Sequence, residues 1–139
     1  MPDRKTYRLK PIGVVRSTLK RRKDAPRQGT QGAPKARIEL VPEVAEALDG
    51  VLAGDEIVVV TWLHESRRDV LKVHPGGDAS LPLTGVFATR SPDRPNPLGL
   101  HRVKVLRVAG RVLEVAPLEA IDGTPVVDLK PVLRSSKDS

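Results

Sequence analysis

Three prolines in six residues stiffen the stretch Thr89-Arg90-Ser91-Pro92-Asp93-Arg94-Pro95-Asn96-Pro97-Leu98-Gly99-Leu100. Each proline fixes its own φ and drives the residue before it, Ser91, Arg94 or Asn96, out of the helical region, so the backbone is extended and preorganised. Such a loop holds Arg90, Arg94 and Asn96 in fixed directions and leaves backbone carbonyls free, which suits recognition of a polar ligand. A rigid connector between strands is the competing reading. The second dense segment is Asp122-Gly123-Thr124-Pro125-Val126-Val127-Asp128-Leu129-Lys130-Pro131. Asp122-Gly123 reads as a turn, and alternation along a strand puts Val126, Asp128 and Lys130 on one face with Val127 and Leu129 on the other. Asp128 and Lys130 then point together, and taken alone they read as a strand-end ion pair.

Other chemistries lack their signatures. Neither a GxxxxGK[ST] loop nor a GxGxxG after a strand is present, which argues against P-loop and dinucleotide-binding enzymes. His64, His74 and His101 have no paired ligand spacing, and there is no cysteine, so no metal site, disulfide or thiol nucleophile is expected. No GxSxG marks a nucleophilic serine. The only rings are Tyr7, Trp62 and Phe87, too few for recognition built on several stacked bases.

Charge is distributed very unevenly. Residues 1–27 hold ten Lys/Arg against Asp3 and Asp24, a balance of +8, whereas residues 28–139 sum to 14 − 15 = −1. The excess sits around Lys20, Arg21, Arg22 and Lys23, which reads either as a handle for a polyanion or as a solvated basic loop. No apolar run approaches the roughly 18–20 residues that span a bilayer. No apolar stretch follows Arg4, Lys5, Arg8 and Lys10, so no secretory signal is expected and a soluble, cytoplasmic protein is the default.

The elements that must position these residues are mostly strands. Ile12, Val14 and Val15 mark a first strand within residues 7–16, followed by a long polar loop over 20–34 and a short strand over 36–40. Residues 42–50 open on Pro42 and Glu43 and close on Gly50, which predicts a short helix. The run Ile57-Val58-Val59-Val60-Thr61-Trp62-Leu63 predicts a central strand buried on both faces. Two more strands are expected over 70–74 and 83–89, a hairpin around Ala109-Gly110, and a last strand over 124–129. Many short strands with one helix predict an all-β chain, a single antiparallel β-barrel domain over residues 9–133, with a flexible start (1–8) and a disordered tail (134–139).

Taken in order, Pro11-Ile12-Gly13-Val14-Val15-Arg16-Ser17, Pro26-Arg27-Gln28, Gly85-Val86-Phe87-Ala88-Thr89-Arg90-Ser91-Pro92 running into Arg94-Pro95-Asn96-Pro97-Leu98-Gly99, and the Asp122 to Pro131 segment resemble the TsaA-like or TrmO family. The resemblance covers roughly residues 9–133. It implies a dimeric β-barrel that uses S-adenosylmethionine to methylate N6 of threonylcarbamoyladenosine beside the anticodon of tRNA. It also implies that Pro26, Arg27, Gln28, His64, Glu65, Arg90, Leu100, Asp122, Gly123, Thr124 and Pro125 fall on cofactor-contacting positions. The chain departs from the family pattern at His101, where a small residue is usual, at Gly76, where arginine is common, and at Val132, where an aromatic is. It also lacks the carboxy-terminal extension of many bacterial members. These departures bear on substrate identity more than on cofactor binding.

Under that reading the acceptor nitrogen is a weak nucleophile, its lone pair shared with purine and carbonyl, and a base would help. Asp128 and His64 are the candidate bases. Lys130 either tunes Asp128 or pairs with the threonyl carboxylate, a task for which Arg90 or Arg94 is also suited. Lys20, Arg21, Arg22, Lys23, Arg94 and Asn96 are the candidate substrate contacts. A methyltransferase acting on a small molecule or another RNA, and a non-catalytic RNA-binding barrel, are the alternatives.

Overall fold

The computed structural model describes residues 4–22 and 33–133. Lys23, Pro26, Arg27 and Gln28, and the expected tail over 134–139, lie outside the described residues. Among the described residues eight strands form: β1 (Gly13–Arg16), β2 (Ala36–Leu40), β3 (Glu56–Trp62), β4 (Lys72–Val73), β5 (Thr84–Gly85), β6 (Leu98–Ala109), β7 (Val112–Ala116) and β8 (Pro125–Pro131). Six of them close an antiparallel barrel in the order β1-β2-β7-β6-β3-β8, and β4 pairs with β5 in a small separate sheet. The expected all-β barrel is therefore what forms. The expected helix over 42–50 is a 3-10 helix, Pro42–Leu48.

The barrel has one interior, and strand alternation decides what fills it. Val15, Ile38, Val59, Val105, Leu113 and Val126 are buried there. Each such side chain contributes about 1.5–3 kcal/mol by leaving water. The expectation that β3 is buried on both faces fails for this reason. Ile57, Val59 and Thr61 point in, while Val58, Val60 and Trp62 lie half-buried on the outer wall. Strand β6 starts at Leu98, inside the stretch read as loop, and it alternates Gly99, His101, Val103 and Val105 inward against Leu98, Leu100, Arg102 and Lys104 outward.

A bulge corrects the face assignment in β8. Val60 pairs with Asp128 but Thr61 pairs with Val126, so Val127 is an extra residue on β8. An extra residue reverses the alternation beyond it. Val126 therefore faces in with its partner Thr61, and Leu129 packs against the core beside its partner Val59. Asp128 and Lys130 share the outer face, but Val126 does not share it with them.

Antiparallel order sends alternate connections to opposite ends of the barrel. The β1–β2, β3–β6 and β7–β8 connections leave from one end, and their described residues are 17–22, 33–35, 63–97 and 117–124. The opposite end holds the β2–β3 connection with Pro42–Leu48 and the tight β6–β7 hairpin, in which Gly110 has a φ of 61° that a side chain would disfavour.

Candidate functional site

The end with the three long connections carries most of the residues singled out from the sequence. The proline loop is clasped there by the residues that follow β3. Leu63 N–H donates to Pro97 O (2.8 Å) and Arg94 N–H to Arg67 O (3.0 Å). Arg67 N–H donates to Asp93 Oδ1 at 2.9 Å. Arg68 reaches Pro95 O through Nε (2.7 Å) and Asn96 Oδ1 through Nη2 (2.9 Å). Its guanidinium also lies 5.1 Å from the centre of the Trp62 ring, within cation–π range. Arg94 Nη1 turns back onto Thr89 O and Ser91 O, both at 3.1 Å.

The carbonyls of Thr89, Ser91, Pro95 and Pro97 are not free, contrary to expectation. Carbonyls that no proline N–H can satisfy are filled by Arg68 and Arg94, because a half-buried carbonyl without water needs a donor. Arg67, Arg68, Trp62 and Asp93 thus hold the loop, and none of the four was singled out from the sequence. The charge-dense run Arg67-Arg68-Asp69, a few residues past β3, was the available signal.

The basic arm docks on the same end. Lys20 Nζ lies 3.3 Å from Asp122 Oδ2, and Arg22 Nη2 lies 2.7 Å from Asp93 Oδ1. Arg22 Nη1 also donates to Glu65 O at 3.4 Å. Ser17 N–H donates to Asp122 Oδ1 at 3.0 Å, and together with Lys20 it holds the Asp122 carboxyl below the usual carboxylate range. Partial burial pushes the Asp93 carboxyl up, but the Arg22 guanidinium and the Arg67 N–H outweigh it and leave the group below its ordinary value.

The Asp122-Gly123 turn therefore anchors the arm to the barrel. Gly123 N–H donates to Val15 O (2.8 Å), and its φ of 87° is one that glycine adopts freely. Thr124 is buried with its hydroxyl on Ile121 O (2.7 Å), and Pro125 opens β8 opposite Val14.

Other sequence candidates are divided between two places. His64 and Glu65 sit in an exposed turn beyond β3, with Nε2 and Oε2 3.8 Å apart. Arg90 is exposed at the start of the proline loop. Leu100 and Asp128 lie instead on the outer wall, where both pair with Val60 from either side. Asp128 Oδ1 accepts from Leu129 N–H (2.9 Å) and Oδ2 lies 3.5 Å from Lys130 Nζ. Val60 is four residues before His64, at most about 13 Å of extended chain.

Beneath this end, inside the barrel, His101 joins Thr61 and Glu119. Its Nε2 is 2.7 Å from Thr61 Oγ1 and its Nδ1 is 2.5 Å from Glu119 Oε1. An N–H on Nδ1 donating to the carboxylate, with Nε2 accepting from the hydroxyl, satisfies all three groups. A Cβ on Gly99 would come within 2.5 Å of Thr61 Oγ1 and 2.7 Å of His101 Nε2, so this position has room only for glycine. The departure at His101 is thus a feature of the interior that ties the β7–β8 connection to the wall.

Among the described residues no group of three or more His, Cys, Asp or Glu could hold a metal ion, and no helix is long and apolar enough to cross a membrane. The model of the family described as tRNA-methyltransferase O N-terminal domain matches residues 14–138. A Methanothermobacter thermautotrophicus protein named as a probable S-adenosyl-L-methionine-binding protein is 46% identical over 124 residues, covering 89% of this chain and 88% of the relative. An Archaeoglobus fulgidus S-adenosyl-L-methionine-binding protein is 44% identical over 122 residues, covering 88% and 86%. The crystal structure of TrmO from Pseudomonas aeruginosa superposes with a TM-score of 0.75 at 29% identity, over 97% of this chain and 60% of that one. The chain thus spans about three fifths of that TrmO. A barrel of this architecture, matched over nearly its whole length, belongs to the tRNA-methyltransferase O N-terminal domain family.

Proposed function

We propose that this chain is an S-adenosylmethionine-dependent methyltransferase that methylates N6 of threonylcarbamoyladenosine next to the anticodon of tRNA, acting as a cytoplasmic homodimer. The observation that carries the reading is the gathering of the proline loop, the His64-Glu65 turn and the basic arm at one end of a barrel matched to this family over residues 14–138. The side chains there fit the cofactor, which joins an amino acid to a nucleoside through a charged sulfur. Arg90 suits its carboxylate, Glu65 suits its cationic groups, and Leu100 with Val60 offers an apolar shelf. When bound, the cofactor supplies an electrophilic methyl group.

Methyl transfer is an in-line displacement, so the chain's principal task is to align two ligands. The clasped proline loop does this with little residual freedom, and Arg94 serves by holding it. Asp128 is the base we assign to the acceptor nitrogen, with His64 as the alternative. Lys130, 3.5 Å from Asp128, either tunes that carboxylate or pairs with the threonyl carboxylate. The split between mouth and outer wall favours a dimer. A second copy seated on the strip of Leu98, Leu100, Val60 and Trp62 brings its own mouth beside Asp128 of the first and covers exposed apolar surface.

Incubation of the protein with S-adenosylmethionine and tRNA, followed by mass spectrometry of the nucleosides, tests the reading. A methyl increment on threonylcarbamoyladenosine, lost in Asp128→Asn, is expected, together with a dimer by sedimentation at micromolar concentration. Calorimetry showing no S-adenosylmethionine binding removes the enzyme reading. Binding without transfer to tRNA moves the acceptor to another molecule.

A further inference from the structure

The outer face of β1 and β2 carries a charged groove that runs to the mouth of the barrel at Lys20 and Asp122. It has a volume of about 560 Å³, and its polar lining includes Arg16, Ser17, Lys20, Lys35 and Arg37 with Glu114 and Asp122. Arg16 and Arg37 stand directly opposite each other across the strand pair, where like charges repel. Their shared counter-charge is Glu39, with Arg16 Nε 3.3 Å from Oε1 and Arg37 Nη2 4.0 Å from Oε2. Glu114, the residue opposite Arg37 on β7, is paired instead with Lys35 at 3.7 Å. These ion pairs are largely exposed, and pairs of that kind contribute little and exchange readily.

Toward the described residues, this groove has donors left over. Among the described residues the terminal nitrogens of Arg16 and the whole guanidinium of Arg37 make no hydrogen bond. Ser17 Oγ accepts from Leu19 N–H at 3.1 Å, which leaves its own O–H to donate. Two arginines at opposed cross-strand positions, both reaching one carboxylate, can grip one tetrahedral anion in its place. The cations also continue past the groove. Lys20 leads to Arg22, which reaches Glu65 O and Asp93 at the clasp where Arg67 and Arg68 sit. A run of several cations fits a chain of phosphates better than a single one.

We propose that this groove binds the phosphodiester backbone of RNA, with one phosphate between Arg16 and Arg37 and its neighbours at Lys35 and Lys20. The proposal rests on the reading of the acceptor as tRNA and adds the surface along which that RNA approaches the mouth. Its test is the affinity of a fluorescein-labelled tRNA containing threonylcarbamoyladenosine, measured by anisotropy over a range of KCl concentrations, for wild type and Arg16→Gln/Arg37→Gln. The double variant is expected to bind roughly tenfold more weakly, with the slope of log affinity against log salt reduced by about two. Calorimetric S-adenosylmethionine binding is expected to stay at the wild-type value.

Wild-type affinity and slope in the double variant overturn the groove alone. A wild-type protein that binds S-adenosylmethionine but no tRNA at low salt overturns the tRNA reading and the groove with it. Loss of inorganic phosphate binding, seen by phosphorus NMR, with tRNA affinity retained assigns the groove to free phosphate and overturns the proposal. Should the double variant fail to fold, Glu39→Gln/Glu114→Gln keeps every cation and removes two carboxylates. Severalfold tighter tRNA binding is then expected, and unchanged binding overturns the proposal.

Discussion

At one end of the barrel Leu48 tucks under the interior from the Pro42–Leu48 segment, with Val44 and Val51 against the same core, so closure there is apolar and local. At the other end the interior closes on Leu118, Ala120 and Ile121, but beside them lies the polar set of Thr61, His101 and Glu119, and above it ion pairs join segments far apart in the chain. An apolar plug needs only the right volume, whereas a polar one needs each partner present. The first end tolerates exchange of one hydrophobe for another. The second end can hold loops in fixed places over a site, because its hydrogen bonds have direction.

The largest effect should come from breaking the polar closure. His101→Leu leaves the Glu119 carboxylate without its partner and should cost about 3 kcal/mol in urea unfolding, with much of this recovered in His101→Leu/Glu119→Leu. A cost below that of Leu48→Ala would mean that both ends rest on packing alone. Leu48→Ala itself should cost about 2 kcal/mol while leaving S-adenosylmethionine affinity by calorimetry unchanged, since the plug is at the far end. Loss of affinity in that variant would couple the two ends. Gly99→Ala should destabilise by roughly 1–2 kcal/mol, because its methyl must push Thr61 and His101 apart, and a nuclear magnetic resonance shift of the His101 ring would localise the damage.

The smallest effect concerns the docked arm. Asp93→Asn should cost less than about 1 kcal/mol, as the pair with Arg22 is only partly buried and the amide oxygen can still accept from Arg67 N–H. Acid should do the same reversibly. The Asp93 and Asp122 carboxyls both lie below their ordinary value of 3.8 in the folded chain, so their contribution is fully present above that pH and is lost as pH falls through the lower folded values. Resonances of the Arg22 side chain should therefore stay constant from pH 7 to about 4 and shift only below it. A change near pH 6 would assign the docking to a histidine.

How much of this was legible before folding depends on the range of the interaction. Gly110 at the hairpin and the prolines of residues 92–97 act within a few residues, and the expected turn forms at Gly110. Alternation failed where the chain breaks its own period. Nothing local announces the extra residue Val127, because a bulge is chosen by which partners β8 must meet on β1 and β3. Leu98 and Leu100 read as loop because they follow three prolines, and only the closeness of Thr61 and His101 explains the glycine between them.

Residue types and their order determined the all-β class, the family motifs, the basic arm and the rigid loop, since each rests on backbone preference or on charge carried along the chain. Only the tertiary structure decided that Arg68 and Arg94 fill the loop's carbonyls, that Asp122 holds the arm, that Asp128 stands on the outer wall apart from His64, and that His101 faces inward to Glu119. Apart from Arg94, whose carbonyl partners lie three and five residues back, these are pairings between residues distant in sequence. Their partners are set by barrel closure and register, which sum over all six strands and leave no mark on any single segment.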